Sequence, residues 1–255
     1  FLLGGCAAPA QTGQTTDESL PVLVVGCDDY APFSYVDADG NMTGIDVELA
    51  EEAFRRMGYR AQCTIINWED KRTLLADGTI DCVWSSFTMD GREDEYQWAG
   101  PYMKSNQVVA VNPDSSIRTL ADLQGRVVAV QSTTKPEDII KKHDGTLPEL
   151  RQVISVQKRD LIFLLLSKGY VDAIAAHDTA ITEFMAECGL EFRILDEPLL
   201  SVGLGAAFDR NDSRHLNEPL NRVMREMYAD GTTARIVGRY FPDTDRYLGG
   251  LYENG

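Results

Sequence analysis

The chain has 255 residues, 44% of them hydrophobic and 25% charged, and its formal net charge is -16 at pH 7. These proportions are ordinary for a globular protein, so they exclude a largely disordered chain. The negative charge would repel nucleic acid and anionic lipid headgroups, so it excludes proteins that bind nucleic acid. No stretch after the first residues approaches the roughly 20 apolar residues of a membrane span.

The first twenty residues predict a lipid anchor followed by a flexible tether. Leu3-Gly4-Gly5-Cys6 resembles a bacterial lipobox, whose cysteine receives the lipid, and Phe1-Leu2-Leu3 would be the end of a signal-peptide apolar region. The polar stretch 11–19 is typical of a tether. We therefore expect an extracytoplasmic protein, lipid-anchored through Cys6 to the outer face of a bacterial cell membrane or periplasmic.

Four further cysteines, Cys27, Cys63, Cys82 and Cys188, follow the lipobox. They form no CxxC motif and no Cys/His spacing of the kind that binds metal, so the sequence predicts no metal site. We interpret them as small buried hydrophobic residues. A disulfide among the first three stays open, because the sequence does not show the pairing.

From Val22 onward, strands alternate with helices. The first group is a strand at Val22–Val25, a helix from Asp46 as its cap to Met57, strands at Ala61–Ile66 and Ile80–Trp84, and a short helix at Asp70–Ala76. This alternation predicts a mostly parallel sheet with helices on both faces.

A second alternating group begins after a strand at Gln107–Val111 and ends before a glycine-interrupted strand at Leu200–Phe208. Helices at about Leu216–Ala229 and Thr233–Tyr240 close the chain. We predict an α/β protein of two lobes, with residues 21–108 and 205–255 in lobe 1 and residues 109–204 inserted as lobe 2. The two crossing strands would form the hinge, and a ligand cleft would lie between the lobes.

Short motifs in a fixed order make the chain resemble a known family. They are residues 26–33 (GCDDYAPF), 39–46 (DGNMTGID), 75–81 (LADGTID), 169–173 (GYVDA), 230–232 (DGT) and 239–241 (RYF). In this order they resemble family 3 of the bacterial extracellular solute-binding proteins, the polar-amino-acid-binding proteins of ABC importers. The resemblance covers about Val22 to Phe241. It implies a type II periplasmic-binding-protein fold that closes over a free amino acid and delivers it to permease subunits, as a monomer and without a cofactor.

The resemblance implies that Arg92 grips the α-carboxylate of the ligand. The planar guanidinium suits this role because it can form two parallel charge-assisted hydrogen bonds. The Ser86 carbonyl and the Thr88 hydroxyl or amide would also meet the ligand. Thr88 precedes the arginine by four residues where the family usually has five, so the loop is expected to be shorter. The alternative is a surface arginine paired with Glu93 or Asp94.

Two aromatic residues, Tyr30 and Trp68, match positions that sandwich the ligand side chain in the family, although ordinary core packing is the alternative. In the second lobe, Thr133 or Thr134 would contact the ligand at a helix N-terminus. Thr134 and Glu137 also have the spacing of a capping box, so a purely structural role is the alternative.

The acceptor for the ligand amine is open between two neighbouring residues. The family usually places an aspartate five residues after the Asp172 position, where this chain has His177, followed by Asp178. A carboxylate would neutralise an ammonium group, whereas a neutral histidine accepts one hydrogen bond. The alternative is that both residues only cap a helix. The identity of the amino acid also stays open.

Two other functions remain as alternatives. One is a sensing lipoprotein that binds a ligand without feeding an importer, and the other is a dehydratase on the same two-lobed fold. The sequence shows no Gly-x-Ser-x-Gly motif, no phosphate loop and no catalytic dyad, so we expect a protein that is not an enzyme.

Overall fold

The structure is a computed structural model that describes residues 19–142, residue 145 and residues 147–252. Cys6 and the rest of the predicted lipobox therefore lie outside the described residues. Within the described ranges, none of the helices combines the length and apolarity needed to cross a membrane.

The described residues form strands and helices in alternation. The strands are β1 (Val22–Cys27), β2 (Tyr35–Val36), β3 (Met42–Thr43), β4 (Arg60–Ile65), β5 (Cys82–Thr88), β6 (Tyr96–Val111), β7 (Val127–Gln131), β8 (Gln152–Val156), β9 (Ala173–His177), β10 (Arg193–Ile194) and β11 (Leu200–Asp209). The helices are α1 (Ile45–Arg56), α2 (Lys71–Ala76), α3 (Lys135–Lys141), α4 (Arg159–Ser167), α5 (Asp178–Cys188), α6 (Asn217–Ala229), α7 (Thr232–Val237) and α8 (Asp245–Leu248). Short 3-10 helices lie at Trp68–Asp70 and Leu120–Leu123.

One large sheet runs through both lobes in the order β4-β1-β5-β11-β6-β9-β7-β8, with β10 on β6. The strands β4, β1 and β5 are parallel to one another, as are β9, β7 and β8. Between these groups lie β11 and β6, which are antiparallel to each other. The predicted two-lobed α/β fold with two crossing strands is therefore confirmed.

The strand β6 is longer than the sequence indicates. It begins at Tyr96, pairs with β11 as far as Gln107, and pairs with β9 from there to Ala110. Gly100 and Pro101 lie in its first half, and both are unfavourable inside strands, so the sequence predicted only the second half. The strand β6 is thus one of the two crossing strands and extends from one lobe into the other. The residue at which each lobe begins stays a prediction.

Buried strands and one amphipathic helix form the core that holds the site. Every residue of β5 and β7 is buried, as is typical of central strands covered by helices on both faces. In α1 the apolar residues that face the core, including Leu49 and Phe54, are buried. The ring of Trp84 packs edge-on against Phe54 within this core.

The predicted helix cap at Asp46 is wrong. Gly44 is the N-cap of α1, and Asp46 lies inside the first turn, where it is buried. Gly44 has a φ of 121°, and an added Cβ would lie 2.4 Å from the Phe33 carbonyl oxygen, so only glycine fits. Asp46 instead accepts the backbone N–H of Ser86 at the site, at 2.6 Å.

The four cysteines of the described residues are free thiols. Cys27 and Cys82 are buried, Cys63 is half-buried and Cys188 is exposed. Burial in the sheet raises the pKa of the Cys82 thiol well above its ordinary value, so this thiol behaves as a small apolar group.

Candidate ligand-binding site

A small cavity lies between the lobes, where β5 and β9 end and α3 begins. Its walls include Ser86, Thr88 and Arg92 from lobe 1 and Thr134 and His177 from lobe 2. The cavity holds about 30 Å³ of free space, enough for water but not for an amino acid. A ligand can therefore enter only after the lobes move apart or wall side chains rearrange.

The loop after β5 holds its backbone in an uncommon conformation. Ser86 has a φ of 47°, in the left-handed region that non-glycine residues rarely adopt. The carboxylate of Asp46 stabilises this conformation through the Ser86 N–H. Thr88 is buried beside it, and its hydroxyl accepts a hydrogen bond from the Gln107 amide at 3.2 Å. The loop therefore presents Ser86 and Thr88 to the cavity in a fixed geometry.

Arg92 is buried in the cavity wall rather than exposed on the surface. Its side chain is 6% exposed, and one guanidinium nitrogen lies 2.6 Å from Asp138 on the opposite lobe. The guanidinium carbon also lies 5.2 Å from the ring centroid of Phe87. Since Asp138 is 43% exposed, this pair lies at the edge of the cavity.

The two predicted aromatic residues occupy different positions. Trp68 lines the cavity and packs edge-on against Phe87, with ring centroids 5.2 Å apart. Tyr30 is buried beneath Arg159, whose guanidinium carbon lies 3.7 Å from the tyrosine ring centroid. The Tyr30 hydroxyl forms a 2.7 Å hydrogen bond with the hydroxyl of Thr179 in lobe 2. The ring face predicted to stack on a ligand is thus covered by an arginine of the protein.

Of the two threonines in the turn into α3, Thr134 lines the cavity and Thr133 does not. Thr133 has a φ of 56°, and its hydroxyl accepts a 2.8 Å hydrogen bond from Lys71 of lobe 1. Thr134 lines the cavity, and its hydroxyl donates to the Gln131 carbonyl at 2.6 Å. The capping box that the spacing of Thr134 and Glu137 would allow does not form, because Glu137 accepts the N–H of Thr133. Thr134 occupies the N-cap position of α3, but its side chain forms no capping hydrogen bond with the helix.

His177 and Asp178 face different sides of the hinge. Asp178 lines a separate surface groove, where its carboxylate lies 2.7 Å from Arg246. His177 lines the cavity, and its Nε2 accepts a 2.8 Å hydrogen bond from the Gln107 amide nitrogen. A neutral ring then carries its proton on Nδ1, which donates to the Ser105 hydroxyl at 2.8 Å. Both nitrogens are engaged, and His177 is also the N-cap of α5.

Three basic side chains, those of Arg92, Lys135 and Arg159, line the cavity. Burial, followed by the charges of Arg159 and Arg92, lowers the pKa of His177 from 6.5 to about 3. Burial also lowers the pKa of Lys71 from 10.5 to about 7, with added repulsion from Arg92. The pKa of Lys135 is lowered in the same way, by burial and then by Arg92. Arg92 contributes to all three shifts, which indicates that Lys71, Lys135 and His177 lie near its charge.

Five buried polar atoms that belong to cavity-lining residues have no hydrogen-bond partner among the described residues. They are the donors Trp68 Nε1 and Arg159 Nη1, the acceptors Gln107 Oε1 and Gln131 Oε1, and the Ser86 hydroxyl oxygen. Buried polar atoms in folded proteins are nearly always paired, so a cluster of unpaired ones indicates a binding site for a polar ligand.

Sequence reasoning missed Gln107, Gln131 and Arg159 as site residues. The sequence indicates Gln107 only as the start of a crossing strand and assigns no role to Gln131 or Arg159. In the structure Arg159 is the first residue of α4. A polar residue at the carboxyl end of a buried strand is the signal that could have identified Gln131. Nothing in the local sequence distinguishes Arg159 from an ordinary helix-surface arginine.

This fold and cleft define a class of protein, a two-lobed binding protein with its ligand site at the hinge. The sequence model of the bacterial extracellular solute-binding proteins, family 3, matches residues 22–243, and the chain belongs to this family. It is 30% identical over 231 residues to the histidine-binding periplasmic protein of Salmonella typhimurium, covering 86% of each chain.

Proteins named for arginine binding are also similar to this chain. The chain is 29% identical over 247 residues to the arginine-binding extracellular protein ArtP of Bacillus subtilis, covering 94% of this chain and 93% of that one. It also superposes on a solved structure of an ancestral arginine-binding protein bound to arginine. The TM-score is 0.77 at 25% identity, covering 86% of this chain and 98% of the other.

Proposed function

We propose that this protein binds a free L-α-amino acid between its lobes and delivers it to an ABC importer. The observation that carries the proposal is a buried arginine, Arg92, in the wall of a cavity whose lining residues also carry five unpaired buried polar atoms. Relatives named as histidine-binding and arginine-binding proteins support the same ligand class.

In this proposal Arg92 holds the α-carboxylate in a bidentate pair, taking the place of the Asp138 contact. The Ser86 carbonyl and Thr88 add hydrogen bonds. The unpaired oxygen of Gln107, rather than His177 or Asp178, receives the ammonium group. This choice is supported by the engaged nitrogens of His177 and by the pairing of Asp178 with Arg246 outside the cavity.

Ligand binding would favour the closed arrangement of the lobes, because each lobe supplies part of the contacts. The environment of His177 supports a binding protein rather than an enzyme. Its two ring nitrogens are held in hydrogen bonds, which leaves it poorly suited to moving a proton.

Calorimetric titration of the ligand-stripped protein with the common L-amino acids tests the proposal. Arg92→Ala should weaken binding by about 100-fold, the order expected for two lost charge-assisted hydrogen bonds. Arg92→Lys keeps the charge but loses the planar fork, so it should also bind more weakly. Arg222→Ala, at an exposed position on α6, is the control. Absence of binding across the panel would contradict the proposal.

Delivery to an importer distinguishes the proposal from a sensing lipoprotein. Deletion of the gene should lower uptake of the bound amino acid, and the wild-type chain but not Arg92→Ala should restore it. Normal uptake in the deletion strain would favour the sensor.

We propose further that Cys6 carries a lipid that anchors the protein to the outer face of the cell membrane. The lipobox-like residues before Cys6 support this proposal. Metabolic labelling with a fatty-acid probe should mark the wild-type chain and Cys188→Ser but not Cys6→Ser. Equal labelling of all three proteins would contradict it.

A further inference from the structure

Arg159 occupies the place that the resemblance to the family assigns to a ligand side chain. Its guanidinium carbon lies 3.7 Å from the centroid of the Tyr30 ring, which is close cation–π contact. One nitrogen of the same group lies 2.7 Å from Asp28, in a pair whose side chains are 12% and 13% exposed. The other terminal nitrogen, Nη1, is buried without a partner, and Arg159 lines the cavity.

The carboxylate of Asp28 is engaged by the protein itself. Its Oδ2 accepts hydrogen bonds from Arg159 at 2.7 Å and from the Gln131 amide at 3.0 Å, and its Oδ1 accepts the Asp29 N–H at 3.1 Å. Three of its roughly four acceptor positions are therefore occupied, and its charge is paired with Arg159, so Asp28 positions Arg159 rather than a cationic ligand.

The remaining charges of the wall are also cationic. Arg92, Lys135 and Arg159 line the cavity, and no carboxylate is among the described lining residues. Of the nearby acids, Glu69 accepts a 2.7 Å hydrogen bond from Ser132. Asp138, which the ligand displaces from Arg92 in the proposed function, is 43% exposed and does not line the cavity. A cationic side chain entering this wall would meet like charges and would have to displace Arg159 from both Tyr30 and Asp28.

We propose that Arg159 selects acidic amino acids, L-glutamate or L-aspartate, as ligands of this cleft, an inference that rests on the proposed function. The unpaired Nη1 of Arg159 and the unpaired Trp68 Nε1 are the two donors that receive the side-chain carboxylate. Arg92 holds the α-carboxylate. The ligand specificity is thus the reverse of that named for the histidine-binding and arginine-binding relatives.

The first test compares affinities of the ligand-stripped wild-type protein for L-glutamate, L-aspartate, L-arginine, L-lysine and L-histidine by calorimetry. We expect an acidic amino acid to bind at least about tenfold more tightly than any cationic one, a difference of about 1.4 kcal/mol. Tighter binding of arginine, lysine or histidine would overturn the inference and leave the proposed function standing. Absence of binding to any common amino acid would overturn both.

Variants of Arg159 provide the second test. Arg159→Gln should weaken binding of the acidic ligand about 10- to 100-fold, because a charge-assisted hydrogen bond is lost. It should also strengthen binding of arginine or histidine, because the Tyr30 face and Asp28 become free. The double variant Arg159→Gln/Asp28→Asn should lose the acidic preference without gaining affinity for cations, since it lacks the free carboxylate.

The single variant Arg159→Gln leaves the charge of Asp28 without its partner, which can destabilise the fold. The double variant removes both charges, so it is less prone to misfold. Circular dichroism and thermal melting establish that each variant is folded. Lys158→Gln removes a neighbouring exposed charge outside the cavity and should behave like the wild type. An unchanged preference for acidic amino acids in the folded double variant would overturn the role of Arg159.

Discussion

Arg92 and Asp46 show how single side chains set the chemistry of the cleft. Arg92 follows a predicted strand end, and sequence and structure agree that it lies at the cleft. The local role of Asp46 differs from the prediction, because a short carboxylate near a helix start reads as a cap. Its partner, the Ser86 N–H, is 40 residues away in sequence, and only the fold brings the two together.

The buried carboxylate of Asp46 makes stability depend on pH. Burial raises its pKa from 3.8 to about 7, so the folded chain keeps a proton that the unfolded chain has lost between these values. The free energy of unfolding should therefore fall as pH rises from about 4 to 7, by on the order of 4 kcal/mol from this group.

Asp46→Asn cannot ionise, and its amide oxygen can still accept the Ser86 N–H. We expect the stability of this variant relative to the wild type to increase as pH rises from 4 to 8. Urea unfolding at several pH values measures the difference, with Asp39→Asn, an exposed carboxylate, as the control. A constant difference across this range would contradict the prediction.

The loop of Arg92 joins β5 to β6, one of the two crossing strands, and it contacts the other, β11, through the Met89 N–H and the Gly203 carbonyl at 3.0 Å. Glycines face each other across them, since a Cβ added at Gly100 would lie 3.0 Å from the Cα of Gly205. The register of β11 shifts at this point, which indicates a bulge. A bulge of this kind bends a strand. The two glycines have no side chains, so the two backbones can approach each other closely at the bend.

Gly205→Ala tests the packing of this crossing. The added methyl group would lie 2.6 Å from the Met89 sulfur and 2.9 Å from the Ala99 carbonyl oxygen, so the strand must shift. We expect a loss of about 1–3 kcal/mol in the free energy of unfolding. Ligand binding should weaken too, because Met89 lies in the loop between Thr88 and Arg92. Ser201→Ala, an exposed position of the same strand, is the control, and unchanged stability of Gly205→Ala would contradict the prediction.

At the scale of the whole molecule, the lobes are held together by polar contacts across the cleft. Lys71 binds the Thr133 hydroxyl, Arg92 binds Asp138, and the Tyr30 and Thr179 hydroxyls bind each other. The chain carries a net charge of -16, yet the cleft is lined by cations. The net charge of the chain therefore does not predict which ligand charge the site prefers, because the nearest charges dominate the interaction with a bound ligand.

Lys71→Met tests whether these contacts hold the lobes closed. The side chain is buried and donates to the Thr133 hydroxyl and carbonyl of the other lobe, so its loss should favour the open arrangement. We expect a larger radius of gyration of the ligand-free protein by small-angle X-ray scattering, and about tenfold weaker ligand binding. Lys168→Met, at an exposed position of lobe 2, is the control. Scattering curves identical to the wild type would contradict the prediction.

The sequence by itself determined the alternation of strands and helices, the two-lobed α/β fold and the loop that carries Arg92. These features follow from local periodicity, turn residues and motifs in a fixed order. Only the tertiary structure decided that Arg159 covers Tyr30, that Gln107 holds His177, and that Asp178 faces away from the cavity. The physical reason is that these contacts join residues far apart in the chain, where their geometry depends on how the two crossing strands bring the lobes together.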